Sequence, residues 1–222
     1  MCEKIYAVLT GDIVKSRELS ADRSKALQNR LKSAAQEFES IFPGSVIGSL
    51  GITRGDGWQV ALQQPEYALR LALFLRAIVK SEFKTDTRVS IGTGPADRLE
   101  LNNIVESTGS AFEHSGHGLE GLDKVRRLAL CAQPEESRDR IIMSLLDCIV
   151  SKWTDKESIA MAGVLLGRTQ DEIAERSPVS ERSGKKPTRQ TVAYALTRAS
   201  WTTVRPCIEF FEKNLTQAGE LA

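Results

Sequence analysis

An excess of charge of either sign is the first thing this sequence lacks. Its 30 Lys and Arg are set against 29 Asp and Glu, a net charge of +1. The chain as a whole therefore has no electrostatic bias toward nucleic acid or a membrane surface, and any basic surface must be local. Cysteine is sparse. The four (Cys2, Cys131, Cys148, Cys207) are scattered, with no CxxC and no His pair beside them. That argues against a disulfide framework or a zinc site and for reduced thiols in a cytoplasmic protein. Met1-Cys2-Glu3-Lys4 is followed by no long apolar stretch, so neither a signal peptide nor a membrane-spanning segment is expected. Internal repeats and low-complexity tracts are also missing. What remains is 222 residues, 41% hydrophobic and 27% charged, enough for one large domain or two small ones with a true core.

Periodicity divides the chain in two. Residues 4–9 read as a strand, and residues 20–42 as a helix capped by Ser20 and stopped at Pro43-Gly44. Strands at 45–53 and 57–62 flank a tight Arg54-Gly55-Asp56 hairpin. A helix at 65–82, a strand at 88–95, a weak helix at 109–121 and a strand at 126–132 follow. The order β-α-β-β-α-β, then α-β, predicts an α+β, ferredoxin-like sheet domain over residues 1–134. After Pro134 there is no strand signal. Helical patterns at 136–153, 155–166, 169–176 and 188–214 make residues 135–222 an all-α domain, with the first helix as its connector and a kink or division expected at Pro206.

Two Gly-Asp pairs carry the first chemical signal. Asp12 ends the apolar first strand, and Asp56 sits in the hairpin between the second and third. In a βαββαβ sheet the first and third strands are neighbours, so the two carboxylates can approach. Two carboxylates that close repel unless a cation lies between them. A hard dication, Mg2+, suits one or two carboxylates with phosphate oxygens, and the Ile13 carbonyl would be a third protein ligand. The cation-bearing loop Lys15-Ser16-Arg17 runs toward a helix N-terminus, where phosphate is favoured. Gly11, Gly55 and Gly57 would let backbone approach a ligand. The duller reading is that Gly-Asp is a common turn dipeptide. Trp58 either packs in the core or lies against a base. His114 and His117, three apart on one helical face, are either exposed helix residues or metal ligands.

"TGDIVKSR" and "ITRGDGWQVAL", with "RVSIGTGPA" and "STGSAFEHSGHGLE", resemble the catalytic core of the class III nucleotidyl cyclases. Within that superfamily the chain looks most like the SatD family, a cyclase-like domain with a C-terminal helix-turn-helix. The resemblance implies a site in which acids matching Asp12 and Asp56 hold metal ions and the backbone after the first acid binds the triphosphate of a nucleotide. Active cyclases also carry an Asn and an Arg one helical turn apart, and the Arg stabilises charge in the transition state. Glu113 and His117 occupy the nearest positions here. Glu113 repels phosphate and His117 is a weaker donor than a guanidinium. The implied domain is therefore a catalytically degenerate one that senses nucleotide and metal.

The second signal is "AGVLLGRTQDEIAERS". Gly167 reads as a helix stop, and Thr169 with Glu172 as a capping box opening a short helix. "TQDEIAER" is similar to the first half of many bacterial helix-turn-helix units. A second helix should begin at about Pro187. Its Thr188, Arg189, Gln190, Thr191, Tyr194 and Arg198, with Lys185 and Lys186 before it, are residue types that reach bases and phosphates. Residues 176–198 hold six Lys and Arg (Arg176, Arg182, Lys185, Lys186, Arg189, Arg198) against one acid, Glu181, a local basic patch in a balanced chain. The plain alternative is a small helical bundle for dimerisation. The expected protein is thus a cytoplasmic, homodimeric, DNA-binding transcriptional regulator with a nucleotide- or phosphate-ligand-sensing domain and no membrane partner. A metal-dependent nucleotidyl cyclase, or another phosphoryl-transfer enzyme with an appended DNA-binding domain, is the alternative.

Overall fold

A computed structural model of the chain describes residues 3–53, 55–123, 125–132, 137–180 and 184–221, with side chains described as far as residue 215. Arg54 of the hairpin, Pro134 at the expected boundary, Glu136 at the expected helix start, and Glu181 and Arg182 of the basic stretch lie outside the described residues.

The first part of the chain runs β1 (Tyr6–Ile13), α1 (Ala21–Ile41), β2 (Val46–Ile52), β3 (Gly57–Leu62), α2 (Ala68–Phe83), β4 (Thr87–Gly94), α3 (Ser110–Glu120) and β5 (Leu128–Cys131). The strands form one sheet in the order β2-β3-β1-β4-β5. The first four are antiparallel, and β5 adds in parallel beside β4. This is a mixed α+β, ferredoxin-like sheet, as the order of periodicities predicted. Strand β1 runs four residues further than its apolar segment suggested. Thr10 and Gly11 look like a strand end in the sequence. On a central strand they are held from both sides, Gly11 opposite Trp58 on β3 and Val89 on β4. Asp12 therefore lies at the end of the strand, as expected, opposite Gly57 and Arg88.

Both faces of the sheet are covered. Ala7, Leu9, Ile13, Trp58, Val60, Val89 and Ile91 pack against Leu31, Phe38 and Phe74 of α1 and α2. Val8 and Ala61 face the other way, toward Ala111 and Phe112 of α3. The Ser20 hydroxyl caps α1 by accepting from the Arg23 amide at 3.3 Å, as expected.

The second part comprises α4 (Ser137–Ser151), α5 (Asp155–Leu165), α6 (Gln170–Arg176), α7 (Arg189–Arg198) and α8 (Trp201–Leu221). The predicted capping box at Thr169 and Glu172 is present, and a second, Thr154 with Glu157, opens α5. Gly167, at φ 75°, ends α5 with Arg168 N–H donating back to Gly163. Two predicted boundaries move. Helix α7 starts at Arg189 because the Thr188 hydroxyl accepts from the Thr191 amide, so Pro187 lies before the cap. The long C-terminal helix divides at Ser200, whose φ of 59° is left-handed, and Pro206 is carried inside α8. No helix among the described residues is long and apolar enough to cross a membrane.

The apolar cluster behind the sheet continues without a break into these helices, through Met143, Leu146, Trp153, Met161, Ile173, Val192 and Phe211. A buried ionic cluster joins the two parts. Arg76 of α2 is 0% exposed, and its guanidinium holds Asp86 through Nε (3.1 Å) and Nη2 (2.9 Å) and Asp147 of α4 through Nη1 (2.7 Å). Arg127 also reaches Asp86 (2.9 Å), and its amide donates to Asp147 (2.7 Å). Burial alone would push the Asp86 carboxyl up, but Arg76, with Lys80 and Arg127, holds it below the ordinary carboxylate range. Arg168 to Glu37 (2.6 Å) and Arg70 to Glu212 (2.6 Å) tie the same two parts at their rim.

Candidate functional site

The strand order brings the backbones of Asp12 and Asp56 next to each other. The Ile13 amide donates to the Asp56 carbonyl at 3.3 Å, and Gly57, next in chain, is the register partner of Asp12. The cation beside Asp12 is a side chain. Arg88, opposite Asp12 on β4, donates from Nε to Oδ1 at 2.9 Å and from Nη2 to Oδ2, so both carboxylate oxygens are taken. Its Nη1 donates to the Leu122 carbonyl at 3.3 Å. The bonds to Asp12 raise the Arg88 pKa against the lowering effect of desolvation, and the charges of Asp12 and Asp56 add to the rise. The pair is partly exposed, with 32% of the Arg88 side chain and 23% of Asp12 open to solvent.

The donor set has the chemistry magnesium prefers, carboxylate oxygens with a backbone carbonyl. On Asp12 a dication would have to compete with the Arg88 guanidinium, which contacts both carboxylate oxygens. Among the described residues no group of three or more His, Cys, Asp or Glu is gathered for a metal.

The surrounding side chains form a polar strip between the sheet and α3. Gln59 Nε2 donates to Thr10 Oγ1 (2.9 Å), which shares a hydrogen bond with Ser115 Oγ (2.7 Å). Ser90, facing Thr10 across β1 and β4, has a buried hydroxyl with no protein partner. His114 Nδ1 lies 2.8 Å from the Thr93 carbonyl, and His117 is exposed, so the two histidines do not act as a pair. Glu113 is exposed as well. Trp58 is fully buried on the opposite face, donating to Thr87 Oγ1 at 2.9 Å, which makes it a core residue. Gly11 serves the same packing: a Cβ there would enter the Trp58 ring, and one on Gly57 would strike the Thr53 hydroxyl. These two glycines make room for neighbouring side chains.

The loop expected to cradle phosphate is a short turn. Lys15, at φ 56°, pairs with Glu18 at 3.2 Å, and Ser16, Arg17 and Glu18 form one 3-10 turn before the Ser20 cap. Sequence reasoning passed over both Arg88 and Arg76. Arg76 had a signal, a single cation in the apolar run Leu71–Val79, where a buried charge demands partners. Arg88 was recognisable only through its register with Asp12.

At the other end of the molecule, Val192, Ala195 and Leu196 bury the inner face of α7, and Arg189, Gln190, Thr191, Tyr194 and Arg198 are exposed. Tyr194 is 64% exposed and its hydroxyl accepts from Gln190 Nε2 at 3.3 Å. Arg198 pairs with Glu157 at 3.1 Å, Arg189 reaches Asp171 at 3.8 Å, and Lys186 Nζ donates to the Glu175 carbonyl. A groove of about 630 Å³ opens between α2, α5 and α7, with Lys84, Lys156, Lys185, Lys186, Thr188 and Thr191 on its wall. Neither it nor the adjoining cavity of about 470 Å³ is lined by Asp12, Asp56 or Arg88.

The fold and this site define a ferredoxin-like sheet domain with an aspartate–arginine pair on its central strands, joined to a helical unit. No protein-family model matches the chain, and no curated protein matches it. Among solved structures it is similar to a bacterial light-regulated adenylyl cyclase, at 16% identity and a TM-score of 0.42 over 57% of this chain. It is also similar to the active GGEEF domain of a diguanylate cyclase from Vibrio cholerae, at 15% identity and 0.40 over 60%. The matches span 42% of the first of those chains and 85% of the second. The strand order β2-β3-β1-β4-β5 defines the fold.

Proposed function

We propose that the chain is a homodimeric, cytoplasmic, DNA-binding transcriptional regulator of the SatD type. In this reading residues 1–134 sense a nucleotide or another phosphorylated small molecule with Mg2+, and residues 135–222 bind DNA. The observation that carries it is the outward face of α7, where Arg189, Gln190, Thr191, Tyr194 and Arg198 are exposed over a buried apolar face. Helices that read base edges have this division. Lys185 and Lys186 precede the helix, are exposed, and would meet phosphates.

Support for the sensing role is the adjacency of Asp12 and Asp56 on β1 and the β2–β3 connection. When bound there, Mg2+ would neutralise phosphate charge. The residues of the chain would do the rest, Asp12 and Asp56 orienting the ligand and Lys15, Ser16 and Arg17 lying along its phosphates. With Glu113 and His117 where an Asn and an Arg would serve cyclisation, the domain is read as a sensor. The same adjacency favours the second reading, a nucleotidyl cyclase or other phosphoryl-transfer enzyme, which product formation from ATP or GTP would reveal.

The test is fluorescence anisotropy on genomic DNA fragments over a salt series, with and without Mg2+ and ATP or GTP. Binding that weakens in Gln190→Ala and Tyr194→Ala, with unchanged melting temperature, is the expected result. No binding at any salt would refute the DNA-binding role. Light scattering at micromolar concentration tests the dimer, and a monomer would refute it.

A further inference from the structure

We propose that Arg88 is a built-in stand-in for the cation of the Asp12–Asp56 site, exchanged for a divalent metal when ligand binds and then handed to a phosphate of that ligand. The inference rests on the reading of that site as a metal and phosphate site, and it assigns the part played by a residue outside that reading.

Three observations carry it. First, the guanidinium engages both oxygens of Asp12, from Nε at 2.9 Å and from Nη2. A dication on those oxygens and the guanidinium would be two positive groups competing for one carboxylate, so each weakens the hold of the other. Second, the contact is fixed by register: Asp12 and Arg88 are direct partners across β1 and β4. The backbone of Arg88 cannot follow its head away, since the Thr87 hydroxyl donates to Asp12 O at 2.6 Å and locks the two strands at this point. Only the head exchanges. It is open enough to do so, with 32% of the side chain exposed. Third, Arg88 keeps a second anchor, Nη1 on the Leu122 carbonyl at 3.3 Å. A head released from Asp12 therefore stays beside the site. A guanidinium there presents paired donors suited to two phosphate oxygens. Metal and phosphate would then bind together better than either alone.

The experiment measures Mn2+ binding to the full chain by electron paramagnetic resonance, with and without inorganic tripolyphosphate. The proteins are wild type, Arg88→Gln, Arg88→Lys and Asp12→Asn. Removing the competing cation should tighten Mn2+ binding, by about tenfold in Arg88→Gln. A merely damaged site would show the opposite. Tripolyphosphate should strengthen Mn2+ binding in the wild type and do so much less in Arg88→Gln. Arg88→Lys retains a charge without the paired contact, so it should fall between them, and it serves as the readout if Arg88→Gln does not fold. Mn2+ binding that is equal in wild type, Arg88→Gln and Arg88→Lys overturns the inference and leaves the metal site standing. Mn2+ binding that survives in Asp12→Asn, or is missing from every protein, overturns the metal site and the inference with it.

Discussion

Replacing Asp86 by Asn tests whether the buried ionic cluster holds the two parts of the chain together. Asn keeps the shape and retains an acceptor for the Thr87 amide, which donates to Asp86 Oδ1 at 2.8 Å. What it removes is the negative charge on which Arg76 and Arg127 converge, at a site 3% exposed. Taking one partner from a buried ion pair costs about 3–5 kcal/mol. Asp147 remains on Arg76 at 2.7 Å, which places the cost near the lower end, about 3 kcal/mol. At roughly 2–4 °C per kcal/mol for a chain of this size, the melting temperature should fall by about 6–12 °C at pH 7. Circular dichroism melts would measure it, with Lys15→Ala as the control, because the Lys15–Glu18 pair is 69% and 67% exposed and such pairs contribute about 0–1 kcal/mol. The acid side gives a second signature. The folded-state pKa of Asp86 lies below its unfolded value. Its contribution is therefore complete above the unfolded carboxylate value, about 3.9, and is lost as pH falls through the lower folded value. Wild type and Asp86→Asn should converge in that window. A fall of less than about 2 °C at neutral pH would mean that the Asp86 charge adds nothing to what the Asp147 contacts and the apolar packing already supply.

Other expectations are narrower. Gly92→Ala should destabilise by about 1–3 kcal/mol in urea unfolding, because its Cβ would meet the Ala111 carbonyl and Ser115 amide of α3, backbone atoms that cannot turn aside. Thr154→Ala should cost about 1 kcal/mol by loss of the α5 cap, since the Thr154 hydroxyl accepts from the Glu157 amide and the Glu157 carboxylate from the Thr154 amide; an unchanged urea midpoint would refute that role. The double variant Lys185→Ala with Lys186→Ala should weaken DNA binding and lower the slope of log K against log salt by about 2 in anisotropy titrations. An unchanged slope would take both lysines off the phosphate backbone.

The amino-acid sequence by itself determined the local structure of this protein. Ser20, Thr169 and Glu172 cap the helices they were expected to cap, and Gly167 ends α5 as a left-handed residue. Such signals act over three or four residues, within reach of sequence reading. The alternation of elements also set the order of strands, because few sheets can be built from β-α-β-β-α-β. Tertiary structure decided the chemistry. That Asp12 meets Arg88, 76 positions away, depends on the β1–β4 register, and a slip of one residue would place them on opposite faces. That Gly11 makes room for Trp58, and leaves none for a ligand, depends on which residue the neighbouring strand presents. Arg76 stands out in an apolar run, but its partners come from the start of β4 and from α4. A carboxylate interacts with whatever charge folding brings within a few ångströms, and spacing along the chain does not report that distance.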